Sequence, residues 1–223
     1  MTAFSDFQNS IASARSLIAM YKELRSLRGL GQRGALTAAN EDLLWLPRSA
    51  VVASLSSLDA YVHAVIVDRA PVALKANPIP PALCEAMAAI IPIRNSSSFR
   101  DAMQIIAASN IYSALVNKLQ EQLSFLSYQA PEKISAGYDM IGFPNIFDDV
   151  SDIWPGPSTE ADDLKRTLAN FVRRRNQIAH EGDREASGAV RHMQPQYAEK
   201  CADFVENLVR KMNTVVYDAE GRP

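Results

Sequence analysis

Apolar residues recur every three to four positions through most of this chain, and that spacing predicts helices. Over residues 4–27, Phe7, Ile11, Ala14, Leu17, Ile18, Tyr21 and Leu24 fall on one stripe before Gly29, Gly31 and Gly34 end the segment. A second helix is expected over 41–67, with Pro47 near its start or at a kink and Pro71 just past its end. The prolines of 73–81 predict an irregular connection into a short helix at 82–91. "NSSS" at 95–98 offers capping side chains for a helix over 99–126, and Pro131 opens a short helix that ends near Gly142.

Residues 144–157 read as a loop, because "WPGPSTE" supplies two prolines and a glycine, with Ser158 as the cap of the helix that follows. Asp162 and Asp163 then fall in a first turn, where negative charge suits the helix dipole. That helix runs to His180 and stops at Gly182, and Pro195 begins a last helix striped by Tyr197, Cys201, Phe204, Val205, Leu208 and Met212. No alternating run bounded by hairpin signals, no repeat and no low-complexity tract interrupts this pattern. The expectation is an all-α helical bundle of long helices with irregular Pro/Gly-rich connecting loops, forming a single domain over 1–223.

Composition narrows the class. With 223 residues, 48% hydrophobic, 22% charged and a net charge of −2, the chain reads as a soluble globular protein, so any nucleic-acid contact has to be local. Cys84 and Cys201 have no CxxC or Cys/His spacing around them, which argues for neither a zinc site nor a disulfide framework and fits a reducing cytoplasm. The carboxylates show no spacing that gathers a magnesium ion, so no metal and no other cofactor is expected. The most apolar window, 51–67, contains Asp59 and His63, and the N-terminus carries Asp6 and no compact apolar run, so neither membrane insertion nor secretion is expected.

Two charges break the apolar pattern. In "RRRNQIAHEGD", residues 173–183, Arg175 falls in the middle of the stripe made by Leu164, Leu168, Phe171 and Ile178. A guanidinium there is costly unless it is paired or the stripe opens onto a cleft. Arg173 and Arg174 point away from that centre, where a solvated basic face accounts for them as well as RNA contact does. Asn176 and His180 share one side of the helix, whereas Arg175 and His180 are about 140° apart on an ideal helix. One copy would hardly aim both at one phosphate, so either the helix distorts near Gly182 or two copies meet across a symmetric dimer. The second misplaced charge is Asp59, flanked on its helix by Val52, Leu55, Val62 and Ile66.

The run Arg175, Asn176, Gln177, Ile178, Ala179, His180 resembles the R-x4-6-H signature of HEPN domains. Together with "SSLDAYVHAV" at 56–65, it is similar to the RiboL-PSP-HEPN branch. The resemblance spans most of the chain and implies an all-α bundle that dimerises along the motif helices and, in many members, cleaves RNA without a metal. It also implies partners: an RNA substrate, a second copy of the chain, and an antitoxin or defence-system protein. Some relatives carry a tyrosine after the histidine and a nucleotidyltransferase partner; here Glu181 and Gly182 follow.

The residue types suit that chemistry. Cleavage by attack of the 2′-hydroxyl needs proton removal, charge stabilisation on the phosphate and protonation of the leaving oxygen. His180 is the candidate base or acid, Arg175 the forked donor to the phosphate, and Asn176 the residue that orients either. Arg173 and Arg174 are candidates for RNA binding, with Lys165 and Arg166 further along the backbone track. Asp59 is expected to pair with Arg175 and hold it in pose, with His63 a turn away; its plainer alternative is to be satisfied by nearby donors. Tyr61 and Tyr128 are candidates for stacking on bases, or core residues. The competing reading of the whole motif is a capping histidine beside a solvated arginine patch, in a protein that binds RNA or another protein without cutting.

Overall fold

The computed structural model describes residues 2–31, 36–90, 95–107, 110–156 and 159–217. Among them are nine α-helices: α1 (Ala3–Leu27), α2 (Trp45–Ala73), α3 (Pro81–Ile90), α4 (Ser96–Ile106), α5 (Ile111–Leu123), α6 (Pro131–Met140), α7 (Ile146–Asp152), α8 (Ala161–His180) and α9 (Pro195–Tyr217). The fold is all-α. A 3-10 segment, Ala38–Leu44, leads into α2, and among the described residues the one bridge of strand type is the isolated pairing of Arg184 with Val190.

The architecture follows from α2, which is buried on nearly every side. A helix apolar all round has to be surrounded, and α2 is packed by α1, α5, α6, α8 and α9. The region Ala39–Ala73 is long and apolar enough to cross a membrane, with a mean hydropathy of 1.7 in its most apolar window. Here that apolar surface is core: Val51, Leu55, Leu58, Val62, Val65 and Ile66 are wholly buried in the cluster that the surrounding helices share. On α6, a Cβ at Gly137 would lie 2.7 Å from Ile66 Cδ1, so a residue without a side chain is what lets α6 approach α2.

The expected helix starts are largely where the capping chemistry puts them. Thr2 accepts from the Ser5 N–H at 3.2 Å to start α1, and Asn95 accepts from the Ser98 N–H at 2.9 Å to start α4. Three expectations fail. The helix expected over 99–126 is two, because Asn110 accepts from the Ser113 N–H at 3.1 Å and caps a new helix there. The expected loop at 144–157 contains α7, whose Ile146, Phe147 and Val150 are buried while Asp148 and Asp149 sit at its positive end. And α2 continues past Val67 through Pro71, since burial of Ala70 and Ala73 outweighs the one backbone bond that the proline cannot make. The expected stop at Gly34 and cap at Ser158 lie outside the described residues; Glu160 precedes α8 without a side-chain cap.

Candidate functional site at the end of α8

Helix α8 buries Ala161, Leu164, Leu168, Phe171 and Ile178, with Phe171 against Tyr197 and Phe204 of α9 at 5.2 and 5.6 Å between ring centres. The position between Phe171 and Ile178 on that stripe belongs to Arg175. Its Nε is buried with no hydrogen-bond partner, while its Nη1 emerges to donate to Asn176 Oδ1 at 2.9 Å. The same Nη1 lies 3.5 Å from Nε2 of His180, the exposed last residue of α8. That contact is at the long end of hydrogen-bonding distance and requires Nε2 without its proton.

The structure therefore brings Arg175 and His180 into contact within one chain, closer than their angular separation on an ideal helix suggested. The backbone stays helical to His180. The long arginine stem covers the angular gap of about 140° by wrapping around the final turn, and no distortion at Gly182 is needed. Arg175, Asn176 and His180 form one exposed polar corner.

Arg174 has a different fate from the one expected of it. Its guanidinium holds Asp183 by two bonds, Nη1 to Oδ1 and Nη2 to Oδ2, the latter at 2.9 Å, and also reaches the His192 carbonyl at 3.2 Å. Asp183 is fully buried and binds Arg48 Nε on its other side; the Arg48 side chain is 2% exposed and donates from Nη2 to the Arg191 carbonyl at 2.7 Å. Arg174 is thus a structural cation, since 13% of its side chain remains exposed and both of its ends are occupied. The backbone supports this clasp. Gly182 and Asp183 both take positive φ, 61° and 55°, and the Asp183 N–H turns back to the Gln177 carbonyl at 2.9 Å. Arg48 and Asp183 were missed by sequence reasoning. The signal was available, for Arg48 shares a stripe with Val51, Val52 and Leu55 and is misplaced there just as Asp59 is.

The remaining charges near the motif are largely matched. Asp162 pairs with Lys165 at 3.6 Å, Asp163 with Arg166 at 2.6 Å, and Glu181 with Arg191 at 3.1 Å. Lys165 and Arg166 are therefore compensated locally. Among the described residues no carboxylate lies within ion-pair distance of exposed Arg173 or of Arg175. Positive potential is left on a narrow strip beside His180.

Asp59 does not pair with Arg175. It accepts from the Tyr128 N–H at 2.5 Å and the Gln129 side-chain amide at 3.4 Å, and lies 3.8 Å from His63 Nε2, which also contacts the Leu126 carbonyl at 3.1 Å. The reason is position along α2. Arg48 marks where the end of α8 meets α2, and Asp59 lies three turns further, roughly 16 Å along the axis. Asp59 anchors the segment after α5 instead. Tyr61 and Tyr128 are 1% and 3% exposed, so neither offers a face to a base; burial, with the charge of Asp59 second, pushes the Tyr128 phenol up to about 12.

Among the described residues no three His, Cys, Asp or Glu side chains converge as a metal-ligand set. No curated protein and no solved structure matches the chain. A family model does: that of RiboL-PSP-HEPN matches residues 11–218, from the first turns of α1 to the end of α9, with the Arg175–His180 corner inside the match. By that match over nearly its whole length, on an all-α fold, the chain belongs to the RiboL-PSP-HEPN family.

Proposed function

We propose that this protein is an endoribonuclease that needs no metal, acting where two copies of the α8 corner face one another across a homodimer. The observation that carries this reading is the meeting of the Arg175 guanidinium and the His180 imidazole on an exposed helix end whose flanking carboxylates are already paired. With Nε2 unprotonated, one imidazole takes the proton of an RNA 2′-hydroxyl as that oxygen attacks the adjacent phosphorus. Arg175 stabilises the charge gathering on the phosphate oxygens through its Nη edge, because its Nε is sealed in the protein. The bond from phosphorus to the 5′ oxygen breaks, and that oxygen takes a proton, leaving a 2′,3′-cyclic phosphate and a 5′-hydroxyl. Acid and base are two tasks, and a second copy supplies the second His180. A cytoplasmic toxin or antiphage role, with an antitoxin or defence partner to restrain it, suits a nuclease of this kind.

The test is incubation with labelled RNA. His180→Ala is expected to cut roughly 100-fold more slowly, EDTA to have no effect, and a 2′-deoxy sugar at the cleaved position to block the reaction. Near-normal turnover by a folded His180→Ala protein, or loss of activity in chelator with recovery on adding metal, would defeat the reading. The second reading is an interaction module, favoured by the engagement of Arg175 Nη1 with Asn176 and His180 of its own chain. It requires salt-dependent RNA binding and no cut products.

A further inference from the structure

We propose that Asp183 is a positioning residue for the Arg175–His180 corner. The carboxylate sits three residues beyond His180, is fully buried, and is held between Arg174 of α8 and Arg48 of α2. Two further backbone bonds tie the same residue to its surroundings, and a third ties Glu181 beside it. Its N–H and that of Glu181 both return to the Gln177 carbonyl, at 2.9 and 3.2 Å, and its own carbonyl accepts from the Arg191 N–H at 2.7 Å. The last turn of α8, which carries His180, is therefore pinned from the residue that follows it.

The clasp also sorts the arginines. Arg174 and Arg175 are neighbours separated by about 100° around the helix. Asp183 draws Arg174 to one side with a forked pair of bonds and leaves Arg175 alone on the other, against His180. Without that carboxylate, two guanidiniums would compete for the same imidazole and the same anion. Asp183 thereby acts through Arg174 and the helix end, and does not itself touch a substrate.

Its catalytic consequence rests on the ribonuclease reading, so the test needs a readout that does not. Asp183→Ala strands two buried cations and puts the fold itself at risk; Arg174→Met removes one arm and leaves Arg48 and Asp183 as a matched pair. The chain has three histidines, His63, His180 and His192, so the imidazole NMR signals of the full chain are few, and His180→Gln assigns the one that matters. In Arg174→Met the His180 signal is expected to shift or broaden, while that of His63, anchored on Leu126, stays in place. Arg174→Lys should restore part of the change. RNA cleavage should lose roughly 10-fold in kcat with KM nearly constant, as expected of a misplaced group. An unmoved His180 signal in folded Arg174→Met would overturn the proposal, and so would a loss confined to KM that shrinks as salt is raised, which would make Arg174 an RNA contact. If the wild-type protein releases no cut RNA, the ribonuclease reading fails, and the His180 signal still decides the role of Asp183.

Discussion

Arg174 and Arg175 are the same residue type, adjacent on one helix, and the fold uses them in opposite ways. Arg174 is gripped at both ends and nearly sealed by Asp183, the His192 carbonyl and the Met193 sulfur. Arg175 has a buried stem with an unpartnered Nε and a tip that meets no carboxylate but donates to Asn176 and faces an imidazole. One step around the helix separates a cation opposed by a carboxylate from one that is not. The difference shows that what opposes a charge, more than its spacing from a histidine, decides whether it serves stability or chemistry. Removing the opposition is the hardest way to break the contrast. Asp183→Ala leaves Arg48 and Arg174 buried without an anion, and a loss of about 3–5 kcal/mol in urea unfolding is expected. A loss below about 1 kcal/mol would mean that the clasp contributes little beyond its geometry.

The reverse experiment is made at Arg175. Its Nε is a buried donor with no acceptor, and such a group costs stability. Arg175→Met fills the same slot between Phe171 and Ile178 without the orphaned polar atom. Stability should therefore stay level or rise by up to about 1 kcal/mol, while RNA cleavage falls about 100-fold, equivalent to about 2.7 kcal/mol of barrier. A site that gains stability as it loses activity is the mark of a strained functional position. If Arg175→Met instead unfolds the protein as Asp183→Ala does, the two arginines are alike and the contrast is lost.

The contrast also sets how far the sequence could be read. Arg175 stood out because a guanidinium on an apolar stripe contradicts its surroundings, Asn176 and His180 because they complete the R-x4-6-H pattern with it, and α8 itself was legible from Leu164, Leu168 and Phe171. The clasp was not, because Asp183 follows a glycine in what reads as a helix stop. Its carboxylate turns inward only because Gly182 and Asp183 both adopt left-handed backbone, a choice that no periodicity reports. Arg48 carried the same warning as Asp59, yet a single misplaced charge does not name its partner across the bundle. The overall helical content was plain, while the division between α4 and α5 turned on a single capping residue, Asn110, a type favoured at helix starts but too common elsewhere for one copy to mark a boundary. Helix α7 hid among prolines and glycines because its three core contacts, Ile146, Phe147 and Val150, are too few to establish a period.

Asp59 supplies the mildest test, because it is the other carboxylate on offer to Arg175 and the fold spends it elsewhere. Its strongest partner is the Tyr128 N–H, and the side chain is 23% exposed, so water replaces part of what is lost when it is removed. Asp59→Ala should therefore cost about 1 kcal/mol, well short of Asp183→Ala. Its effect should be local. Amide exchange ought to quicken at Tyr128 and Gln129, where the segment after α5 loses its anchor, and remain slow at Gln177 and Ile178 on α8. Cleavage should stay within about twofold of wild type, because a surface-flanking change remote from the chemistry is ordinarily neutral. A 100-fold drop in Asp59→Ala with α8 amides unchanged would place that carboxylate in the site after all, reached from a second copy rather than along α2. The assignment of Asp183 as the anion that organises the arginines would then have to be shared.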